Sequence, residues 1–193
     1  MKLIEKTIYL ASTSPRRKEL LERICADIKI IDPSVNESIP THAEHGKLAI
    51  SIAKIKIDEA IKLCPQGNII ITADTIVSVD DLVLGKPKDE AEAKEMLMLL
   101  SGNTHFVYTG FCIYNPRNKK VFSKVVKTEV TFNKLNMADV DLYIASKGPF
   151  DKAGGYGIQD SFGSVFVKSI KGCYYNVVGF PISEIYTHLR GII

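Results

Sequence analysis

Three consecutive cations open a predicted helix near the start of the chain. Ser14 suits the N-cap position and Pro15 the first helical position, and the cations of residues 16–18 follow directly. Positive charge at this end opposes the helix macrodipole, which favours anions there. The arrangement becomes favourable when an anion binds where backbone N–H groups, guanidinium groups and the hydroxyl of Ser12 converge. The alternative is a basic turn whose side chains extend into water.

Asp74 is a second departure from local preference. It ends the predicted strand that contains the run Ile69-Ile70-Ile71, and strand interiors disfavour aspartate. An acidic side chain at a strand end beside a cleft can hold a metal ion or activate water. The alternative is a turn residue that forms a hydrogen bond to its own backbone.

Two lysines are considered as partners for phosphate. Lys86 lies on the rigid turn Gly85-Lys86-Pro87, and lysine binds phosphate as a point charge, although exposed loop lysines are common. Lys54 shares the polar stripe of a predicted helix with Lys47 and Asp58, which predicts a solvated side chain.

A glycine-rich segment, residues 151–159, follows later in the chain. Its glycines permit close backbone approach, and Gln159 offers both a donor and an acceptor to a nucleobase edge. The glycine spacing does not match the dinucleotide fingerprint, and the chain has no Walker A motif. A loop that serves folding alone is the alternative.

Other reaction classes lack their signatures in this sequence. His42 and His45 are not part of a His-Glu-x-x-His motif, and no Ser or Cys nucleophile signature is present. None of the four cysteines forms a Cys-x-x-Cys pair, so we expect free thiols and no sequence-local zinc site.

Composition limits the class of protein. The 193 residues are 46% hydrophobic and 24% charged, which is typical of a folded globular protein, and the net charge of +3 gives no bulk signal for nucleic acid. The apolar stretches are shorter than the roughly 20 residues of a membrane span. The first residues lack the apolar core of a secretory signal. We therefore expect a cytoplasmic protein with no membrane partner.

Strands and helices must position these residues. They alternate early in the chain, and the middle of the chain favours antiparallel pairing of strands. We predict one domain over residues 1–193, with a mixed α/β fold and two lobes around a cleft. The predicted strands cover residues 7–11, 27–32, 68–73, 75–79, 82–84, 104–114, 119–132 and 164–170, and the predicted helices cover 14–24, 42–63, 89–100, 136–146 and 181–189, with a loop over 148–163.

In this order, the motifs resemble the Maf family of nucleoside triphosphate pyrophosphatases. The resemblance spans nearly the whole chain, and three of its blocks are highly specific together: residues 10–17, 73–75 and 151–159. The other matching segments are Glu37-Ser38, Ala53-Lys54, Gly85-Lys86-Pro87, Ser101-Gly102 with His105, Thr109-Gly110 and residues 176–181.

The resemblance implies a Maf/ITPase-like fold with an elongated mixed central sheet flanked by helices. It also implies hydrolysis of dTTP and UTP, with modified pyrimidine nucleotides as further candidates, to the monophosphate and pyrophosphate. A divalent cation (Mg²⁺, Mn²⁺ or Co²⁺) is implied, and a homodimer is compatible with it. The alternatives are a pyrophosphatase for 7-methyl-GTP or non-standard purine nucleotides, and a non-enzymatic nucleotide-binding regulator of septation.

The resemblance also assigns roles to individual residues. Asp74 is the expected catalytic proton acceptor, and the base and metal-ligand roles of this carboxylate stay open. The residues expected to set substrate specificity are Arg16, Thr75 and Gln159. The residues expected to bind phosphate are Ser12, Arg16, Arg17, Lys54 and Lys86, and those expected to bind the metal are Glu37 and Asp74.

The sequence departs from the family pattern at three positions. Asn36 replaces a common aspartate, so metal binding there would depend on Glu37. Asp160 replaces the usual glycine after the glutamine, which adds negative charge near the base and can alter selectivity. Phe180 replaces a usual leucine, which we interpret as a packing change.

Overall fold

The computed structural model describes residues 2–35 and 44–193. Its strands are β1 (Ile8–Ala11), β2 (Ile28–Ile31), β3 (Ile69–Val79), β4 (Leu82–Leu84), β5 (Thr104–Asn115), β6 (Lys120–Phe132) and β7 (Val167–Lys171). Its helices are α1 (Pro15–Glu22), α2 (His45–Leu63), α3 (Glu90–Leu100), α4 (Met137–Ala145), α5 (Ser161–Phe166), α6 (Tyr174–Val178) and α7 (Ile182–Arg190), with a single 3₁₀ turn at Ala153–Gly155.

The strands form one mixed sheet of seven strands in the order β2-β1-β3-β5-β6-β7, with β4 paired to β3. The pairs β1/β2 and β1/β3 are parallel, and the pairs that β3, β5, β6 and β7 form along the sheet are antiparallel. The predicted mixed α/β class, with a central sheet flanked by helices, is therefore confirmed.

The long strand β3 changes its neighbour along its length. On one side it pairs with β5 from Ile70 to Ser78. On its other side it pairs with β1 as far as Ile71 and with β4 only from Val77 onward. Between these two partners, β1 has left the sheet to enter α1, and the backbone of β3 is open to a cleft.

Apolar cores lie on either side of this opening. One core packs α1 and α7 against β1 and the first half of β3, and its members include Leu21, Phe111 and Ile185. The other packs α3, α4 and α5 against the second half of β3, and its members include Leu97 and Tyr143. The sheet thus joins two lobes around a cleft, as the sequence predicts.

Two of the three predicted N-cap side chains make a capping hydrogen bond in the structure. Asp89 accepts a hydrogen bond from the backbone N–H of Glu92 at the start of α3, and Asn136 accepts one from Ala138 at the start of α4. Ser14 occupies the N-cap of α1 but makes no capping hydrogen bond with its side chain.

Other predictions were wrong. Asp74 does not end a strand, because β5 pairs with β3 on both sides of it and keeps the backbone extended to Val79. The predicted strand over 164–170 begins only at Val167, since residues 161–166 form α5, and the short helix α6 was not predicted. The predicted start of α2 at His42 lies outside the described residues. Within the described part of the chain, no helix is long and apolar enough to cross a membrane.

Candidate functional site

The opening beside β3 is a cleft of about 470 Å³ lined by both lobes. Its lining includes the turn between β1 and α1, the middle of β3, the turn after β4 and the glycine-rich segment. By number, the lining residues are 11–17, 32–35, 52, 56, 74–77, 84–86, 107, 151–153, 156, 157, 159 and 177–179. The structure therefore brings together Ser12, Arg16, Arg17, Asp74, Thr75, Lys86 and Gln159, which lie far apart in sequence.

Asp74 lies at the centre of the cleft and forms an ion pair with Lys56. The Lys56 Nζ atom is 2.7 Å from the Asp74 Oδ1 atom, and the two side chains are 9% and 10% exposed. Alternate residues of β3 face α2, because the Thr72 hydroxyl also donates to a carbonyl of that helix, Ala53, at 2.8 Å. The strand and the helix together hold the carboxylate in place.

The close approach of α2 depends on a glycine opposite Asp74. Gly110 of β5 is the register partner of Asp74. A Cβ atom at Gly110 would lie 2.5 Å from the backbone nitrogen of Ile50 and 2.6 Å from the carbonyl oxygen of Ala49. The absence of a side chain there lets α2 lie directly on the sheet at the level of the cleft.

The lysine of α2 that reaches the cleft is Lys56 and not Lys54. Lys54 is exposed, as the helical periodicity predicts, and it does not line the cleft. Lys56 lies at helical spacing from Ile52, Ala53 and Ala60, so it shares the buried face of the helix with them. A lysine at an apolar position of an amphipathic helix is the sequence signal that could have identified it.

Arg17 connects three segments of the cleft wall. Its guanidinium donates to the carbonyl oxygens of Ala73 at 2.7 Å and Gly179 at 3.0 Å, and to the hydroxyls of Ser12 at 3.2 Å and Thr75 at 3.1 Å. The Ala73 carbonyl belongs to the part of β3 that has lost β1 as a partner, so Arg17 supplies the missing donor. Arg17 thereby fixes the shape of the wall.

Arg16 extends across the cleft to the glycine-rich segment. It donates to the Asp151 carboxylate at 2.5 Å and to the Asp151 carbonyl oxygen at 3.0 Å. Burial of Asp151 acts to raise its pKa, but hydrogen bonds from Lys152 and Arg16 outweigh burial, so the pKa lies below its usual value. Lys86 also lines the cleft, and among the described residues it has no ion pair.

The N-terminus of α1 faces the cleft, and no acidic side chain of its first turn or capping side chain offsets its partial positive charge. Its first turn contains no acidic residue, and the Ser14 side chain does not cap it. The hydroxyl of Ser12 instead accepts a hydrogen bond from the Ser14 backbone N–H at 3.3 Å. This geometry agrees with the expectation that the end of α1 takes an external anion.

Thr75 lies on the face of β3 opposite Asp74, where its hydroxyl is held by protein groups. It lies 2.9 Å from the Thr109 hydroxyl, which donates in turn to the Asn176 carbonyl oxygen at 3.1 Å. Asn176 is buried and donates to Thr128 and to the Val107 carbonyl oxygen. This network attaches α6 to the sheet and gives Thr75 a fixed orientation.

Gln159 lines the far end of the cleft, in the glycine-rich segment. Its Nε2 atom donates to the Asp160 carboxylate at 2.8 Å. Gln159 is exposed and so is available to a ligand.

The described residues contain no complete metal site. Among residues 2–35 and 44–193, no group of three or more His, Cys, Asp or Glu side chains is placed to bind an ion. Glu37, an expected ligand, lies outside the described residues. Asp74 alone still fits Mg²⁺ or Mn²⁺, because such ions are held by one or two carboxylates together with substrate phosphates and water.

Comparison with known proteins gives consistent results. The family model described as "Maf-like protein" matches residues 7–192. A Bacillus cereus protein named "dTTP/UTP pyrophosphatase" is 48% identical over 185 residues, covering 96% of this chain and 95% of the relative. A Bacillus cytotoxicus protein of the same name is 45% identical with the same coverage. The structure of the Staphylococcus aureus Ham1 protein covers 96% of this chain and 99% of its own, with 13% identity and a TM-score of 0.48, which is too low to support a conclusion.

Proposed function

This chain belongs to the family of Maf-like proteins, and on that premise we propose that it hydrolyses dTTP and UTP to the monophosphate and pyrophosphate. The observation that carries the proposal is the meeting of Arg16, Lys86 and Asp74 in one cleft. The names of the relatives, "dTTP/UTP pyrophosphatase", support the choice of substrate.

The phosphate end of the proposed substrate lies where cations from both lobes line the cleft. A nucleoside triphosphate carries about four negative charges, and catalysis of its cleavage depends mainly on positioning and charge stabilisation. Arg16, Lys86, Lys56 and the uncapped start of α1 supply positive charge or N–H donors from separate segments. We assign the phosphates to this cluster and give Lys56 the role that the family resemblance implies for Lys54.

Asp74 is the proposed acceptor of a proton from water. In the reaction the water oxygen bonds to the α-phosphorus, the bond between that phosphorus and the bridging oxygen breaks, and pyrophosphate leaves with its electron pair. Lys56 at 2.7 Å fixes the position of the carboxylate that receives the proton. The resemblance implies that Arg17 binds phosphate; we propose an indirect role instead, because its hydrogen bonds hold Ser12, Ala73, Thr75 and Gly179 in place.

A divalent cation fits this arrangement as a cofactor. Asp74 would hold it, together with Glu37, and the cation would neutralise charge on the phosphates. The protein groups then complete the site: the cations that line the cleft orient the triphosphate, and Asp74 orients the water.

The base end of the substrate lies against the glycine-rich segment, residues 151–159. Gln159 offers an amide to the O4 acceptor and the N3–H donor of a pyrimidine. Thr75 shapes the adjoining wall through a hydroxyl that is already hydrogen-bonded to protein groups.

Since dTTP and UTP belong to the cytoplasmic nucleotide pool, we propose that the reaction takes place in the cytoplasm. The expected homodimer stays a prediction.

A nucleotide panel tests the proposal. Pyrophosphate release is measured for dTTP, UTP, dCTP, 7-methyl-GTP and dITP, each with Mg²⁺, Mn²⁺ or Co²⁺ and each with EDTA. We expect metal-dependent release with dTTP and UTP as the preferred substrates. A preference for 7-methyl-GTP or dITP would overturn the pyrimidine assignment. Nucleotide binding without any release would instead indicate a regulator.

A further inference from the structure

Asp160 holds one end of the Gln159 side chain. The distance from Gln159 Nε2 to Asp160 Oδ1 is 2.8 Å. A carboxylate only accepts hydrogen bonds, so the NH₂ end of the amide must face it and the carbonyl oxygen must face away. Gln159 lines the cleft, whereas Asp160 does not. Among the described residues, the side-chain oxygen of Gln159 accepts no hydrogen bond.

Asp160 is itself held firmly. Its Oδ2 atom is 3.2 Å from the Nζ atom of Lys152, whose side chain is only 11% exposed. Lys152 also contacts the Asp151 carboxylate at 2.6 Å, and Asp151 binds Arg16 at 2.5 Å. A continuous series of hydrogen bonds and ion pairs therefore connects Gln159 with Arg16 on the other side of the cleft.

Gly157 leaves room for this cluster. A Cβ atom at Gly157 would lie 2.7 Å from Asp160 Oδ2, 2.7 Å from Gln159 Nε2 and 2.8 Å from the Lys152 Cε atom. The three side chains pack over the glycine, so the orientation of the amide is fixed by contacts on several sides.

We propose that Asp160 is a positioning residue that selects uracil and thymine over cytosine by fixing the orientation of the Gln159 amide. This inference rests on the proposed function and adds a mechanism of base selection to it. The chemistry of the base edge supports it. Uracil and thymine carry a donor at N3, and cytosine carries an acceptor there. An amide oxygen held toward N3 accepts a hydrogen bond from uracil and from thymine. The N3 atom of cytosine is itself an acceptor, so it stays unpaired and is repelled by the amide oxygen.

Kinetics of Asp160 variants test the inference. Asp160→Ala removes the acceptor, and Asp160→Asn replaces it with an amide that allows both orientations of Gln159. Neither change removes a helix cap, because the Asp160 side chain makes no capping hydrogen bond to α5. The ratio of kcat/KM for dTTP to that for dCTP is measured for each variant.

We expect this ratio to fall about 10-fold or more in both variants, mainly through KM, since Asp74 and Lys56 are untouched and any shift of Arg16 through Lys152 and Asp151 acts on both nucleotides alike. Asp160→Glu, which keeps an acceptor, should recover part of the ratio. Asp141→Asn is the matched control, because it breaks a surface ion pair with Lys94 and should leave the ratio unchanged.

Two results would count against the inference, and they are distinguishable. A dTTP-to-dCTP ratio within twofold of wild type in both Asp160→Ala and Asp160→Asn would overturn the role of Asp160 and leave the pyrophosphatase proposal standing. Failure of the wild-type protein to release pyrophosphate from any pyrimidine triphosphate would overturn the proposed function and the inference with it.

Discussion

At the scale of single residues, the cleft contains one buried pair of opposite charges among the described residues. Lys56 and Asp74 are each about one-tenth exposed, and they come from different elements. Such pairs contribute little to net stability, because desolvation offsets their attraction, but removing one partner is costly. A buried pair of this kind that lines a cleft therefore points to chemistry more than to folding.

The first prediction concerns Asp74. In Asp74→Asn the side chain keeps its size and loses its ability to accept a proton from water. We expect kcat for dTTP to fall by about 10²- to 10⁴-fold, the range typical of a general base. Pyrophosphate release measures the loss, and circular dichroism verifies the fold.

The matched control for Asp74 is Asp58→Asn on the exposed face of α2. It removes one carboxylate from the same helix–sheet layer without touching the cleft, so it should retain full activity. Near-normal turnover by Asp74→Asn would remove the assigned role.

His105 supplies a prediction about pH. It is fully buried, its Nε2 atom lies 2.7 Å from the Tyr156 hydroxyl, and its Nδ1 atom has no hydrogen-bond partner among the described residues. Burial lowers the pKa of His105 to about 4. The unfolded chain, with a histidine pKa of about 6.5, gains a proton first as the pH falls.

The folded protein should therefore lose stability as the pH falls through about 6.5 toward 4, by up to about 3 kcal/mol from this residue, and this loss should vanish well above pH 6.5. Urea unfolding at pH 7, 5.5 and 4.5 measures it. In His105→Gln, which does not titrate, the decline should be shallower than in wild type. Parallel curves for the two proteins would contradict the assignment.

At the scale of elements, the position of α2 on the sheet determines where Lys56 meets Asp74. Its buried face carries small residues, Ala49, Ala53 and Ala60, which let the helix lie close to β3 and β5. Gly110 completes this contact from the side of the sheet.

Gly110→Ala should therefore displace α2. A methyl group would meet helix backbone at 2.5–2.6 Å, and backbone has no rotamer with which to yield. We expect a loss of about 1–3 kcal/mol in the free energy of unfolding, together with reduced kcat because Lys56 moves relative to Asp74. Chemical denaturation and pyrophosphate release measure the two effects.

Gly46→Ala is the control for this change. Gly46 is also on α2, but its Cβ atom would meet only side chains of Tyr108 and Val125 at 3.6 Å, which is ordinary contact. This variant should be neutral or slightly stabilised, since alanine favours a helix. Equal effects of the two substitutions would show that the close contact at Gly110 is unimportant.

The elements predicted from sequence are those whose signals are local. The pairing of Asp89 with Glu92 and the polar Asn136 are short-range capping signals, and both helices start where they indicate. The helix α5 was missed because its glycine and β-branched valine favour other structures, and its form depends on packing of Phe166 into the core. Tertiary contact overrides propensity there.

The residues of the candidate site also divide into those that local sequence signals identify and those whose contacts depend on the fold. Arg16, Asp74, Lys86 and Gln159 stand out by type or spacing, and the structure places them in one cleft. Helical periodicity places Lys56 on the buried face of α2, but its contact with Asp74 joins separate elements and depends on how the helix lies on the sheet. The hydrogen bonds of Arg17 depend on β1 leaving the sheet at Ala11, which is a property of the topology.

At the scale of the whole molecule, one sheet joins the two largest of the core clusters that the described residues form, and the cleft lies between these two. A ligand that contacts both lobes adds interactions that the unfolded chain cannot make. Binding should therefore stabilise the entire fold by mass action.

A thermal-shift measurement checks this expectation. A dTTP analogue with a non-hydrolysable α–β bridge, at 100 times its Kd, should add about 2.7 kcal/mol of stability. For a chain of this size we expect Tm to rise by about 5–10 °C. Thymidine at the same concentration, which lacks the phosphates, should give a much smaller shift. Equal shifts for the two ligands would contradict the assignment of the cations to phosphate.

The change of partner along β3 has a consequence for how such a protein can diversify. The charged groups that would act on phosphorus and the loop that would face the base are arranged around one strand whose pairing with β5 is unbroken from Ile70 to Ser78. Substitutions in the loop that keep Asp151 and its bond to Arg16 should then alter which nucleotide is accepted while the reacting groups keep their spacing.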